Sequence, residues 1–389
     1  MSLGVYIQVP FCQTKCTYCN FHTGVVSAKV YEPYVEAVCR EIQEVRKSEG
    51  KEVGADGLPE MPLGPADTIY VGGGTPSLLE PHALHKLLDA VRGTLDCALA
   101  EVTLEADPET ITAEKAAAWL AAGFNRVSLG SQSFSDAELK AAGRMHHRQD
   151  IFAANRILRE AGFANLSFDL ICGLPHQTAE SWGRSVEELL SLQPEHVSIY
   201  LLEVDEGSRL GREVISLGTR YSAPSIPSDD DMAAFYERTC DRLASAGYEH
   251  YEISNWALPG QRSQHNLKYW HRKPYFGFGA GAHSFNGAER WANAHDPAAY
   301  MASIEQGRLP IEQRERLTSQ QALDEELFLG LRLLDGIDAA RIERQYDVNL
   351  QPRLAALREA GLLEMEGTTA RLARSRLAIS NEVFVELMG

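Results

Sequence analysis

Six short β-branched or apolar runs, each separated from the next by a longer amphipathic stretch, limit this chain to a narrow set of folds. The runs are VYIQV (5–9), TIYVG (68–72), EVTLEA (101–106), RVSLGS (126–131), LSFDLI (166–171) and HVSIYLL (196–202). Between them lie helical patterns such as YEPYVEAVCREIQEVRK, ALHKLLDAVR, AEKAAAWLAAG, DIFAANRILREAG and SWGRSVEELLSL. Strand, helix, strand in repetition implies right-handed crossovers and a parallel sheet. So many units in succession suit an α/β fold built as an incomplete, TIM-like (β/α) barrel better than the alternative, a doubly wound sheet. Chemistry in such barrels gathers at the C-terminal ends of the strands. The polar markers sit there: three cysteines after the first run, GGGTP after the second and Glu105 ending the third. Gln132 follows the fourth, Asp169 lies near the end of the fifth and Tyr200 near the end of the sixth.

The chain of 389 residues is long enough for more than one folded unit. Residues 48–66 are rich in Gly, Pro and acidic groups and read as a surface loop, and residues 219–231 as a second. After them come a helix in DMAAFYERTCDRLASAG and a strand in YEHYEIS (248–254). The last segment reads helix, helix and short hairpin, a small helical, winged-helix-like domain. The expected division is 1–215 for the barrel core, 216–305 for an extension and 306–389 for the C-terminal domain.

Charge narrows the partners. Lys and Arg number 37 against 54 Asp and Glu, a formal net charge of -17. That balance disfavours non-specific nucleic-acid binding, which needs a basic surface, and bulk attraction to anionic lipid. No apolar run approaches the ~20 residues of a membrane span, although peripheral membrane contact stays open. The N-terminus, MSLGVYIQVPF, lacks the pattern of a signal peptide. The expected setting is a reducing cytoplasm, without a disulfide framework for the seven cysteines. Cys39, Cys97, Cys172 and Cys240 share no ligand spacing and read as small apolar side chains.

Cys12, Cys16 and Cys19 are different, because C-x3-C-x2-C packs three thiols into one short loop. Structural zinc wants four ligands, and His22 is a candidate fourth, but no second Cys or His pair follows to clamp another segment. A [4Fe–4S] cluster held by three cysteines leaves one iron open to a substrate. Gly73, Gly74 and Thr75 belong to a glycine run that lets backbone approach a ligand closely. Glu105 is a carboxylate suited to an ammonium group, and Asp169 to ribose hydroxyls.

The cysteine spacing, with Tyr18 before the third cysteine, resembles the signature of the radical S-adenosylmethionine (SAM) enzymes. In that family the open iron is chelated by SAM, and an electron from the cluster cleaves it to methionine and a 5′-deoxyadenosyl radical. The blocks VYIQVPFC, YVGGGTPS, LEADPE, RVSLGSQSF, FDLICGLP and SIYLLEV are similar, in order, to those of the oxygen-independent coproporphyrinogen III dehydrogenase family. The resemblance implies a radical SAM barrel in which Glu105, Gln132, Arg144 and Asp169 contact SAM, the last three of them a second SAM molecule. Tyr6, Tyr18, Gly73, Gly74 and Thr75 join them around the first.

Two features separate this chain from the dehydrogenases, which carry C-x3-C-x2-C-x-C and an N-terminal extension over the active site. Here Phe21 stands at the fourth cysteine, and the first strand begins almost at Met1. A third feature, H-N-x-x-Y-W at residues 265–270, resembles the haem-binding signature of the HemW branch, and the same stretch adds Tyr275, Phe276 and Phe278. That resemblance implies a haem chaperone with His265 as haem ligand, a haem or porphyrin ligand and haem-accepting proteins as partners. The rival is oxidative decarboxylation of coproporphyrinogen III, and the sequence leaves open whether the chain is an enzyme at all.

Overall fold

The computed structural model describes residues 2–47, 59, 61, 64–97, 100–216 and 226–388. Most of the two surface loops expected above, 48–66 and 219–231, lies outside the described residues.

The six runs form six parallel strands: β1 (Leu3–Val9), β2 (Ala66–Gly73), β3 (Glu101–Ala106), β4 (Arg126–Gln132), β5 (Leu166–Cys172) and β6 (His196–Leu201). Each pairs in register with the next, from Val5↔Ile69 to Leu170↔Ile199. Both faces of these strands are covered, so they read as nearly continuous apolar runs. Along β1 the alternating Leu3, Val5, Ile7 and Val9 are at most 1% exposed, while Tyr6 and Gln8 face the interior. Helices outside the strands bury one stripe each. Leu84, Leu87, Leu88 and Val91 do so on Pro81–Arg92, and Ile151, Ala154 and Leu158 on Arg148–Ala161. Each such side chain contributes about 1.5–3 kcal/mol on burial.

Two hairpin systems extend this array without closing it. The strand expected over 248–254 is interrupted by a turn, giving β7 (Glu249–Glu252) and β8 (Asn255–Ala257), and β8 runs antiparallel beside β6. On the other flank β9 (Tyr275–Phe278) lies parallel to β1, a seventh parallel strand that local periodicity does not announce. Antiparallel β10 (His283–Phe285), β11 (Glu289–Asn293) and β12 (Ile311–Arg316) follow it. The order β12-β11-β10-β9-β1-β2-β3-β4-β5-β6-β8-β7 has two free ends among the described residues. The barrel is therefore incomplete.

A polar layer fills the floor of the open barrel. The imidazole of His196 is bonded to Ser167 Oγ and Tyr251 OH at 2.8 Å each, and that of His265 to Thr68 and Tyr269. Helix Ser319–Gly330 is followed by β13 (Ile337–Asp338), helices Ala339–Tyr346 and Gln351–Glu359, and the hairpin of β14 (Leu363–Glu366) and β15 (Thr369–Leu372), with β13 pairing to β15 in the winged-helix manner. Where the sequence reads two helices and a hairpin, the described residues hold three helices before the hairpin and another after it. β12 pairs with β11, so residues 311–316 are part of the main sheet. The final helix, Ser380–Met388, packs Val383, Phe384 and Leu387 into the core.

Candidate functional site

A cavity of about 1270 Å³ opens at the C-terminal ends of the parallel strands. Side chains from β1 through β6 line it, as do the loop after β1 and the segment Leu377–Glu382. Pockets for drug-sized ligands usually fall between ~300 and ~1,000 Å³, so this one has room for more than a single small ligand.

Cys12, Cys16 and Cys19 lie on its wall as free, partly exposed thiols. Among the described residues no three His, Cys, Asp or Glu side chains gather as the ligands of one metal ion would. The loop is held close to the second strand: Cys12 N–H donates to Gly24 O at 3.0 Å, and the Gly74 and Thr75 N–H groups donate to Val9 O and Phe11 O at 2.8 and 2.7 Å. A Cβ on Gly74 would meet Phe11 O and lie 3.0 Å from Cys12 Sγ, so this position has no space for a side chain. Gly73 has φ +112°, a conformation open to glycine. Burial pushes the Cys12 thiol up, against the Thr23 and Thr75 hydroxyls, and an Arg144 Nη1–H reaches Cys16 Sγ at 3.4 Å. Three thiols, a neighbouring guanidinium and a glycine cradle fit an iron–sulfur cluster.

Glu105 lies below the glycine strip. It accepts from Tyr70 OH and from Gly73 N–H, both at 2.9 Å. Burial pushes its carboxyl up to about 7, although these two bonds oppose the shift. The result is an acceptor that gains from a cation beside it. Tyr6 donates to Gln8 Oε1 at 2.6 Å and stacks on Tyr70 at 6.0 Å between ring centroids.

Gln132 has φ 62° where the β4–β5 register slips between Gly130 and Gln132. Such a bulge turns a side chain out of the ladder, here into the cavity, at a cost in backbone strain. Arg144 donates to Gly130 O at 2.8 Å and pairs with Asp107, which also accepts from Thr75 Oγ1 at 3.2 Å. Among the described residues Arg144 Nε is buried without a partner, a donor open to an acceptor. Asp169 accepts from Ser128 Oγ at 3.2 Å and from Ser198; burial raises its carboxyl. Tyr18 lines the same cavity.

His265 departs from the expectation of a haem ligand. It is 2% exposed, with Nδ1 2.9 Å from Thr68 Oγ1 and Nε2 2.9 Å from Tyr269 OH. An axial ligand needs one nitrogen with a free lone pair facing the metal, and here hydroxyl groups take up both. Its ring stacks under Tyr70 at 5.1 Å and 28°, and burial, with Lys268 and Arg126 nearby, lowers its basicity to about 3. Thus His265 is a neutral support one layer beneath Glu105. Its neighbours Asn266, Tyr269 and Trp270 do line the cavity, and the Arg332 guanidinium covers the Trp270 ring at 4.4 Å.

Asp107 is the clearest omission of the sequence reading. It stands two residues after Glu105, so the strand's period of two puts both carboxylates on one side, a signal present in LEADPE. Tyr70 and Arg332 carry no comparable signal.

Comparison with known proteins bears on the family and the fold. The radical SAM superfamily model matches residues 6–189, and the HemN C-terminal domain model matches residues 317–375. The protein named heme chaperone HemW from Bacillus subtilis (strain 168) is 34% identical over 99% of this chain and 99% of its own. The protein of that name from Mycobacterium tuberculosis (strain ATCC 25618 / H37Rv) is 35% identical over 99% of this chain and 95% of its own. Among solved structures, coproporphyrinogen III oxidase (HemN) from Escherichia coli, described as a radical SAM enzyme, superposes with a TM-score of 0.82. It is 21% identical and covers 99% of this chain and 90% of the other, a likeness of fold.

Proposed function

From membership in the HemW family of radical SAM proteins, to which this chain belongs, we propose that it is a haem chaperone. In this reading it holds haem and a [4Fe–4S] cluster in one cavity and passes the haem to acceptor proteins in the cytoplasm. Among the described residues no helix is long and apolar enough to cross a membrane. The observation that carries the reading is the cavity itself, about 1270 Å³, with a cysteine loop, a SAM-type cradle and an aromatic wall of Tyr269 and Trp270. Cys12, Cys16 and Cys19 would hold the cluster, which when bound with SAM supplies one-electron chemistry.

The protein's own contribution is binding and orientation. Gly73 and Gly74 bring backbone against the methionyl end, while Glu105 receives the ammonium group, held in place by Tyr70 and Gly73 N–H. Gln132, Arg144 and Asp169 supply an amide, a guanidinium and a carboxylate to the remaining polar groups. Tyr6 and Tyr18 close the sides. Phe21, 66% exposed at the position of the dehydrogenases' fourth cysteine, gives the rim an apolar face instead of a thiol.

Anaerobically reconstituted protein is expected to hold about four irons and sulfides per chain and to bind haem with a defined Soret band. Given coproporphyrinogen III, SAM and a reductant, it should yield no protoporphyrinogen. Sustained decarboxylation would establish the dehydrogenase in its place.

A further inference from the structure

We propose that His22 is the side chain that takes the haem iron, an assignment that rests on the haem-chaperone reading above. The chain has twelve histidines, and among the described residues His22 is the one imidazole on the lining of the cavity. Its side chain is exposed, and no hydrogen bond or ion pair to its ring is found among the described residues. A lone pair is therefore available, which is what a haem iron requires of neutral imidazole. His265 meets none of these conditions.

The surroundings orient that ring. His295 lies against it, 4.5 Å between centroids and 41° between planes, so the imidazole is braced by a ring contact that uses up neither nitrogen. His295 itself keeps a buried Nδ1 without a partner, so the pair forms no closed hydrogen-bonded network. On the same cavity lining, Phe21 is 66% and Met145 52% exposed, large apolar side chains left uncovered at the rim. Apolar exposure beside a cavity marks a surface that a ligand covers. Phe21 is the sequence neighbour of His22, so a flat macrocycle with its iron on that imidazole would have an apolar side chain beside it. Of the other side chains on the lining with a donor that haem proteins use, the three cysteines are assigned to the cluster in this reading, and Met145 and Tyr200, 52% and 45% exposed, are the competitors that reach solvent.

The test uses full-length, cluster-reconstituted protein, titrated separately with ferric haem and with metal-free protoporphyrin IX. His22→Ala should weaken haem binding about tenfold or more and shift the Soret band. Protoporphyrin IX should bind the variant and the wild type alike, because only the iron bond is gone. Added imidazole should restore the wild-type spectrum. An unchanged Soret band and affinity in His22→Ala would overturn the assignment, as would equal loss of haem and porphyrin. A shift in Met145→Leu with none in His22→Ala would transfer the role to Met145 and equally overturn it. Failure of the wild type to bind haem would instead remove the functional reading on which the assignment stands.

Discussion

Glu105 sets a proton and SAM in competition for one carboxylate. Its folded-state value of about 7 lies well above the ordinary carboxylate range, so the empty site favours the protonated form. An ammonium group binds the ionised form and must drive the proton off. Affinity therefore falls as pH falls, by about tenfold for each unit below ~7. On the alkaline side the ligand's own amino group begins to lose its proton near ~7.7–8.0, which gives a narrow optimum between the two. Glu105→Gln keeps an acceptor for Gly73 N–H, and its NH2 can donate to a rotated Tyr70 hydroxyl, but it removes the charge. Loss of one partner of a buried charge pair costs about 2–5 kcal/mol, so the SAM dissociation constant should rise roughly 30-fold to several-thousand-fold near pH 7.5. The acid limb of its pH profile should flatten as well. The assay is anaerobic equilibrium binding of SAM to cluster-loaded protein from about pH 5.5 to about pH 9, a range that brackets both titrations. A wild-type affinity that stays level across the acid half, or a Glu105→Gln affinity within threefold of wild type, would refute the reasoning.

Four further expectations follow from the packing. His265→Ala removes a buried ring and strands the hydroxyls of Thr68 and Tyr269, so urea denaturation should show a loss of about 2–4 kcal/mol, with weaker SAM binding through Tyr70; the exposed His22→Ala should cost under ~0.5 kcal/mol. Glu41 is buried, accepts from Tyr300 OH, Gly279 N–H and Asn293 Nδ2–H, and is pushed up to about 7 by burial. Because that value is raised, its stabilising protonated form is lost as pH rises through 7, so wild type should lose roughly 1 kcal/mol more than Glu41→Gln between about pH 6 and pH 8 in matched denaturation curves. Gly74→Ala should lower bound iron and cost about 1–3 kcal/mol, since its Cβ meets the backbone at Phe11, as iron assay and thermal melts would reveal. Phe21→Cys should leave iron near four per chain and confer no decarboxylation, as measured by iron assay and product analysis, because an exposed rim position changes little else.

The six parallel strands and the residues at their ends were legible because a strand buried on both faces is written in consecutive apolar letters, and its end in a sudden polar one. β9 was not. YFGF pairs with β1 across some 270 positions of sequence, and no local period reports a partner that far away. The same distance hid the state of His265: its motif is local, but Thr68, which occupies one of its nitrogens, comes from β2. Gln132 was legible as a polar residue after a strand, whereas its left-handed backbone depends on a register slip against β5. Asp107 was in plain view and passed over beside the stronger mark of Glu105.

The cavity wall at Leu377–Glu382 has a consequence for biosynthesis. The cysteines leave the ribosome more than 350 residues ahead of the residues that enclose them on the far side. At about 5–20 residues per second, the thiols wait roughly 20–70 seconds before the chamber around them can exist. Iron and sulfide delivered during synthesis would meet a bare loop. Delivery to the finished chain would meet a walled chamber. The order of the sequence thus favours a cell that loads this protein after Leu377–Glu382 has docked.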